Sequence, residues 1–75
     1  MHKDDKSIAY FRKKLNLKQS ELAENLGIKR YHLSFIENKK TYPDCELAEK
    51  MSEILRASIG QLWTEEELNI ILERR

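Results

Sequence analysis

The chain of 75 residues has one cysteine, one proline and two glycines, and it lacks any long apolar run. A single cysteine, Cys45, excludes an internal disulfide and favours a reducing, intracellular environment. No apolar run approaches the roughly 18 to 20 residues that a membrane-spanning helix needs. The N-terminal residues MHKDDKS also lack the apolar stretch of a secretory signal. We therefore expect a cytoplasmic protein that does not contact a membrane.

The residue sets that usually carry catalysis are missing as well. There is no Ser/His/Asp set, no metal-ligand cluster and no glycine-rich phosphate loop. His32 has no second ligand type at a helical spacing, so it does not indicate a metal site. The length allows one small domain with a single modest core. We expect neither an enzyme nor a bound metal or cofactor.

The charged residues are unevenly divided, although the net charge is only +1. Residues 1–43 carry ten Lys/Arg against five Asp/Glu, a balance of +5, and residues 44–75 carry four against eight, a balance of −4. Lysine and arginine neutralise phosphates and supply most non-specific affinity for nucleic acid. The first half therefore favours a polyanion as partner, although in so short a chain such a split can also arise by chance.

The stretch QSELAENLGIKRYHLSFIEN, residues 19–38, predicts two short helices that are joined at Gly27. The apolar positions at helical spacing are Leu22, Ala23 and Leu26 in the first helix, and Ile28, Leu33 and Ile36 in the second. Glycine turns the chain at a helix C-terminus without a Cβ penalty. Such a pair is typical of the DNA-binding helix-turn-helix, but it also occurs in helical domains that never touch nucleic acid.

The outward positions of the second helix favour the DNA-binding alternative. Arg30, Tyr31, Ser34 and Phe35 lie at i, i+1, i+4 and i+5, and we predict that they contact base edges. Arginine matches the O6 and N7 acceptors of guanine, and an exposed Phe35 can pack on a thymine methyl group. Equally, Phe35 can pack against Tyr31 or Tyr42 and contact no base.

These residues resemble the phage repressor and Cro type of helix-turn-helix, found in Xre-like transcriptional regulators. The matching residues are Gln19, Glu21, Leu22, Ala23, Gly27, Ile28, Leu33, Ser34, Ile36, Glu37 and Pro43. The resemblance runs from about residue 8 to residue 63. Two residues depart from the usual pattern, because Lys39 and Arg56 stand where the family usually has glycine. Either Asn38 or Lys39 must then adopt a left-handed turn conformation, or the loop has another shape.

The resemblance implies an all-α fold. We expect a flexible N-terminus over residues 1–6 and a compact five-helix DNA-binding domain over residues 7–63. A short C-terminal helix follows in residues 64–75, where Thr64 and Glu67 have the spacing of a capping box.

Further site residues are assigned partly from the resemblance. The residues expected at DNA phosphates are Gln19, Lys29, Asn38 and Lys40, and Lys39 lies beside them. Gln19 is assigned because related regulators place a side chain and a backbone N–H at a phosphate there; otherwise it is an exposed polar residue without a role. The resemblance also implies a structural salt bridge between Arg12 and Glu37, although the spacing of Arg12 alone indicates a surface charge.

The C-terminal helix has more apolar positions than one face can hold. Leu68, Ile71 and Leu72 form a stripe, whereas Ile70 points elsewhere. Regulators of this type usually bind near-palindromic sites as dimers, so we predict a homodimer interface formed by Trp63, Leu68, Ile70, Ile71 and Leu72. The alternative is that this helix closes over the core of its own chain.

The sequence therefore predicts a DNA-binding transcriptional regulator, in particular a repressor or autoregulator that binds double-stranded DNA as a homodimer. A bacterial, phage or plasmid origin is expected, with RNA polymerase or a toxin as candidate partners. The alternative is an antitoxin or control subunit that acts mainly through protein contacts of its C-terminal helix.

Overall fold

Six helices follow one another in the computed structural model, which describes residues 7–73. They are α1 (Ile8–Lys14), α2 (Gln19–Leu26), α3 (Arg30–Glu37), α4 (Cys45–Leu55), α5 (Ile59–Leu62) and α6 (Glu65–Leu72). The described residues contain no strand, and the predicted all-α fold is confirmed. The predicted flexible N-terminus (residues 1–6) and the predicted end of the last helix, at Arg74 and Arg75, lie outside the described residues.

Side-chain caps fix where most of these helices begin. The oxygens of Ser7, Asp44, Ser58 and Thr64 each accept a hydrogen bond from the backbone N–H three residues further on. Such a bond satisfies one of the N–H groups that a helix start leaves without a partner. At α6 the contact is reciprocal, because Glu67 also accepts from the Thr64 N–H at 2.9 Å. The capping box predicted from the sequence is therefore present.

The turn between α2 and α3 depends on Gly27. Its φ of 75° is left-handed, and it lets the N–H of Ile28 bond back to the carbonyl of Ala23 at 3.0 Å. This is a helix C-terminal closure that satisfies carbonyls at the end of α2. The turn brings Leu22 and Leu33 together in the core, where both are fully buried.

We expect Gly27→Ala to lower the free energy of unfolding by about 1 kcal/mol, because a residue with a Cβ is disfavoured at positive φ. No atom lies within 4 Å of the added methyl group, so backbone conformation alone carries the effect. Urea denaturation followed by circular dichroism measures it. Gly60→Ala is the matched control: it adds the same methyl group inside α5, also without a contact. It should raise stability by roughly 0.5–1 kcal/mol, and equal losses in both variants would contradict the explanation.

Among residues 7–73, three residues other than glycine also have positive φ: Asn16, Lys39 and Arg56, at 59°, 62° and 56°. Of the alternatives that the sequence left open, the structure has the left-handed conformation at Lys39 and not at Asn38. Arg56 likewise takes the geometry for which glycine is the usual residue. Both departures are accommodated by a positive φ at the lysine or arginine itself, just after the last residue of α3 or α4.

One core joins all six helices. Its buried apolar residues are Ile8, Phe11, Leu22, Ala23, Leu26, Leu33, Ile36, Ala48, Met51, Leu55, Ala57, Leu62, Trp63 and Ile71. α2 packs against α3, and α2, α5 and α6 each pack against α4. The exposed face of α3 is therefore presented on a fixed support.

The core corrects the predicted homodimer interface at two of its five positions. Trp63 and Ile71 are only 2% exposed and pack within their own chain, so they are not accessible for contact with a second chain. The reason is that α6 folds back on α4 and directs Ile71 inward, as the alternative interpretation of this helix anticipated. Ile70 and Leu72 remain 41% and 52% exposed, and Leu68 is half-buried.

Candidate nucleic-acid interface

The outward face of α3 carries two parallel rows of side chains. Arg30 and Ser34 are one helical turn apart, and Tyr31 and Phe35 form the neighbouring row. These four residues and Gln19 line an open depression of about 410 Å³. The residues predicted to contact bases are thus brought together on one surface, and the opposite face of α3 is anchored in the core by Leu33 and Ile36.

An ion pair between Arg12 and Glu37 ties α1 to the end of α3. Arg12 Nε lies 2.8 Å from Glu37 Oε2, and Nη2 lies 3.4 Å from Oε1. Arg12 Nη1 also donates to the carbonyl oxygen of Leu17 at 2.9 Å. The two side chains are only 11% and 7% exposed. The resemblance implied this pair, whereas the position of Arg12 in the apolar pattern of α1 would have assigned it to the surface.

Gln19 continues this contact towards the exposed face. Its Nε2 donates to Glu37 Oε1 at 3.1 Å, and its Oε1 accepts from Arg30 Nε at 3.3 Å. A primary amide can do both because it carries a donor and an acceptor. Arg12, Glu37, Gln19 and Arg30 thus form a continuous polar chain, here called the Arg12–Arg30 chain, from the buried ion pair to the surface.

The Arg12–Arg30 chain was not predicted. The sequence suggested that Gln19 contacts a phosphate, and the structure gives its amide two partners inside the protein. The sequence held only a weak signal for these contacts. Gln19 has both a donor and an acceptor, and it stands at the start of α2 between Arg12, assigned to a salt bridge, and Arg30, assigned to a base contact. Among the described residues, the hydrogen bond of Arg30 uses Nε, so its Nη1 and Nη2 groups are available to a ligand.

The polar residues at the two ends of α3 differ in their availability to a ligand. Lys29 and Lys40 are exposed, as expected of residues that contact phosphates. Asn38 is also exposed, and its Nδ2 donates to the Ser34 carbonyl oxygen at 2.9 Å. Lys39, in contrast, is engaged by the C-terminal helix, with its Nζ 3.1 Å from Glu67 Oε1.

Glu67 is the centre of a small polar cluster that joins α6 to the loop after α3. Besides Lys39 and the Thr64 N–H, its carboxylate accepts a hydrogen bond from the Tyr42 hydroxyl at 3.4 Å. Burial acts to raise the pKa of Glu67, but the Thr64 N–H, Lys39 and Tyr42 outweigh it and hold this pKa below its ordinary value of 4.5. Burial and the Glu67 carboxylate raise the pKa of Tyr42 above 10.0.

The lowered pKa predicts a stability change in acid. Because the folded protein binds the Glu67 proton less readily than the unfolded chain, the contribution of Glu67 is present above the unfolded pKa of about 4.5. It is lost as the pH falls through the lower folded pKa. We expect Glu67→Gln to be less stable than the parent protein near pH 6 and to lose less stability on acidification.

Urea denaturation at pH values between 6 and 3 measures this difference. Glu66→Gln is the matched control, since it makes the same substitution at an exposed glutamate of the same helix turn, and the profile of Glu67→Gln is compared with it. Parallel profiles for the parent protein and Glu67→Gln would rule out the contribution.

The other end of α6 is apolar and partly open. Cys45, Ala48, Ile59, Leu68, Ile71 and Leu72 line a groove of about 190 Å³ between α4, α5 and α6. Ile70 and Leu72 lie exposed on the same helix. None of the described helices is long and apolar enough to cross a membrane.

The amino-acid sequence of this chain is similar to those of known proteins. The profile of the helix-turn-helix family matches residues 8–62. A protein of Archaeoglobus fulgidus described as an uncharacterized HTH-type transcriptional regulator is 38% identical over 63 residues, covering 81% of this chain and 89% of its own. A second protein of that organism with the same description is 36% identical over 56 residues, covering 75% and 80%. No solved structure matches. With a family profile that spans most of its helices, the chain belongs to the helix-turn-helix family, of the Xre and Cro type of DNA-binding transcriptional regulators.

Proposed function

We propose that this protein is a sequence-specific transcriptional regulator that lays α3 in the major groove of double-stranded DNA. The observation that carries the proposal is the exposed face of α3, on which Arg30, Tyr31, Ser34 and Phe35 share one surface. Arg30 is held through the Arg12–Arg30 chain and keeps Nη groups free for the O6 and N7 acceptors of guanine. A side chain that a hydrogen bond already holds in place loses less conformational freedom when it binds DNA.

Phosphate contacts flank this face at both ends of α3. Lys29 precedes α3, and Asn38 and Lys40 follow it, all three exposed. Gln19 begins α2, where backbone N–H groups without helical partners favour an anion. Its side chain serves Glu37 and Arg30, so we assign the phosphate contact at this position to the backbone. Phosphate contacts set the register of the protein on DNA, and base contacts then supply the specificity.

Selection from a random pool of DNA duplexes tests this function. The enriched duplex and a scrambled duplex of equal length are then compared by fluorescence anisotropy at two salt concentrations. A specific regulator should prefer the enriched duplex by a factor of about 10³ or more. Failure to enrich any sequence would refute specific recognition, as would equal and steeply salt-dependent binding to the enriched and the scrambled duplex.

We further propose that the protein acts as a homodimer on a near-palindromic operator, as a repressor or autoregulator. The support is the exposed apolar surface of α6, formed by Ile70 and Leu72 beside half-buried Leu68. Exposed apolar patches of this kind are typical of interfaces. In such a dimer the two α3 helices would lie roughly 34 Å apart, one turn of DNA, to reach successive major grooves.

Leu72→Glu is expected to shift this dimer towards monomer, because it would bury a charge in an apolar interface. Sedimentation equilibrium at tens of micromolar protein gives the mass, and Glu66→Gln on the exposed polar part of α6 should leave it unchanged. A parent protein that sediments only as a monomer at this concentration would remove the proposed dimer.

The same apolar surface supports a second candidate function, an antitoxin or control subunit that binds another protein through α6. Different experiments detect the two functions. A regulator enriches a DNA sequence as described above, whereas an antitoxin forms a stoichiometric complex with the product of a neighbouring gene and depends on Ile70 and Leu72 for it. Co-expression with that gene product, followed by size-exclusion chromatography, distinguishes the two.

A further inference from the structure

Two aromatic rings are exposed side by side on the face of α3. Tyr31 is 65% exposed and Phe35 is 48% exposed. Their ring centroids are 6.0 Å apart and their planes meet at 75°, an edge-to-face contact. Because the pair forms before any ligand arrives, it presents a preorganised apolar surface to the solvent.

This aromatic pair lies directly beside the arginine. Arg30, Tyr31 and Phe35 line the same depression, and Arg30 is hydrogen-bonded at Nε by Gln19. The polar row of Arg30 and Ser34 therefore runs parallel to the apolar row. A ligand that fills the depression meets guanidinium donors on one side and aromatic carbon on the other.

The major groove offers one apolar group that suits such a surface. Guanine presents O6 and N7 to an arginine, while thymine presents its 5-methyl group, and 5-methylcytosine presents a methyl group at the same ring position. Phe35 has no hydrogen-bonding atom, so its side chain can contribute only apolar contact. The two rows thus match a guanine next to a base pair that carries a pyrimidine methyl group.

We propose that Tyr31 and Phe35 form a subsite for the 5-methyl group of a pyrimidine, next to the guanine that Arg30 binds. The proposal rests on the proposed function, since it requires α3 to lie in the major groove. It assigns the aromatic pair to sequence recognition. The competing explanation is that the pair only stabilises α3 through its i, i+4 contact, in which case a methyl group on the DNA would have no effect on binding.

The test starts from the duplex enriched from the random pool. Each thymine in its half-site is replaced in turn by deoxyuridine, which removes the methyl group and leaves every hydrogen-bonding atom. At one position we expect binding to weaken about fourfold, the factor that corresponds to about 0.8 kcal/mol for a buried methyl group at 1.4 kcal/mol per tenfold. At that position, cytosine is then compared with 5-methylcytosine, and the methylated duplex should bind about fourfold more tightly if the subsite accepts either source.

Variants of the protein connect the methyl effect to the aromatic pair. In Phe35→Ala the ratio of affinities for the thymine and deoxyuridine duplexes should fall to about one, and circular dichroism checks that the helices are intact. Tyr10→Ala is the matched control, because it removes another partly exposed ring, on α1, and should keep the parent ratio. A purely structural role of Phe35 would change affinity for both duplexes together and leave their ratio unchanged.

The outcomes separate the subsite from the function. If thymine matters and 5-methylcytosine does not differ from cytosine, the ligand is thymine; if both methyl groups strengthen binding, the subsite accepts any 5-methylpyrimidine. Ratios of one for both pairs in the parent protein overturn the subsite, as does a Phe35→Ala variant that keeps the parent ratio. In both cases the enriched sequence still supports a specific regulator, whereas a pool without enrichment refutes the proposed function itself.

Discussion

Arg12→Ala is expected to lower the free energy of unfolding by about 3–5 kcal/mol, because it leaves the Glu37 carboxylate buried without its main counter-charge. The Glu37 side chain is only 7% exposed, and Gln19 Nε2 would remain as its partner. The substitution also removes the donor to the Leu17 carbonyl oxygen. Small domains are stable by about 5–15 kcal/mol in total, so a large part of the stability would be lost. Urea denaturation followed by circular dichroism measures the change.

A double-mutant cycle separates the stranded charge from lost packing. The double variant Arg12→Met with Glu37→Met removes both charges. Its loss of unfolding free energy should be much smaller than the sum of the losses of the single variants Arg12→Met and Glu37→Met. Lys13→Ala, an exposed neighbour in α1, should change stability by less than about 0.5 kcal/mol. Additive losses in the double variant would show that the buried charge is not the cause.

Arg30→Ala is expected to weaken binding to the enriched duplex by about 1–3 kcal/mol, roughly 5-fold to 150-fold, and to relax the preference at one base pair. Binding to the scrambled duplex should change little, because it depends on phosphate contacts. Anisotropy titrations on both duplexes measure the two effects. The specificity ratio is the informative quantity, since it cancels any general loss of affinity.

Lys40→Ala is the matched comparison for Arg30→Ala. It removes an exposed charge next to α3 and should weaken both duplexes alike. It should also make the negative slope of log K against log salt less steep by about 0.9, because one phosphate contact is lost. Equal losses of Arg30→Ala on enriched and scrambled DNA would remove Arg30 as a base-reading residue.

Much of the fold follows from local signals in the sequence. Thr64 and Glu67 form the capping box that their spacing predicted, because a cap depends only on residues within one turn. The missing glycine after α3 pointed to a left-handed turn at Asn38 or Lys39 or to another loop shape, and Lys39 adopts the turn. Such features are set by backbone chemistry within a few residues, and the sequence contains them directly.

Features that depend on how the helices meet were harder to predict. Gln19 contacts Glu37 and Arg30, 18 and 11 residues away, and no periodicity relates these three positions. The burial of Ile71 depends on how α6 folds back on α4, which the sequence of α6 does not specify. A pattern gives the faces of a helix, but only the assembled core decides which apolar face is covered.

The pair between Lys39 and Glu67 has a consequence for how the two ends of the domain influence each other. A DNA phosphate that drew Lys39 away would compete with a carboxylate that holds α6 in place. Two equilibria that share one ammonium group are reciprocally coupled. If DNA binding weakens the docking of α6 by some factor, the docking of α6 weakens the affinity for DNA by the same factor. If Lys39 contacts a DNA phosphate, the docking of α6 and the binding of DNA at α3 are therefore coupled through its ammonium group.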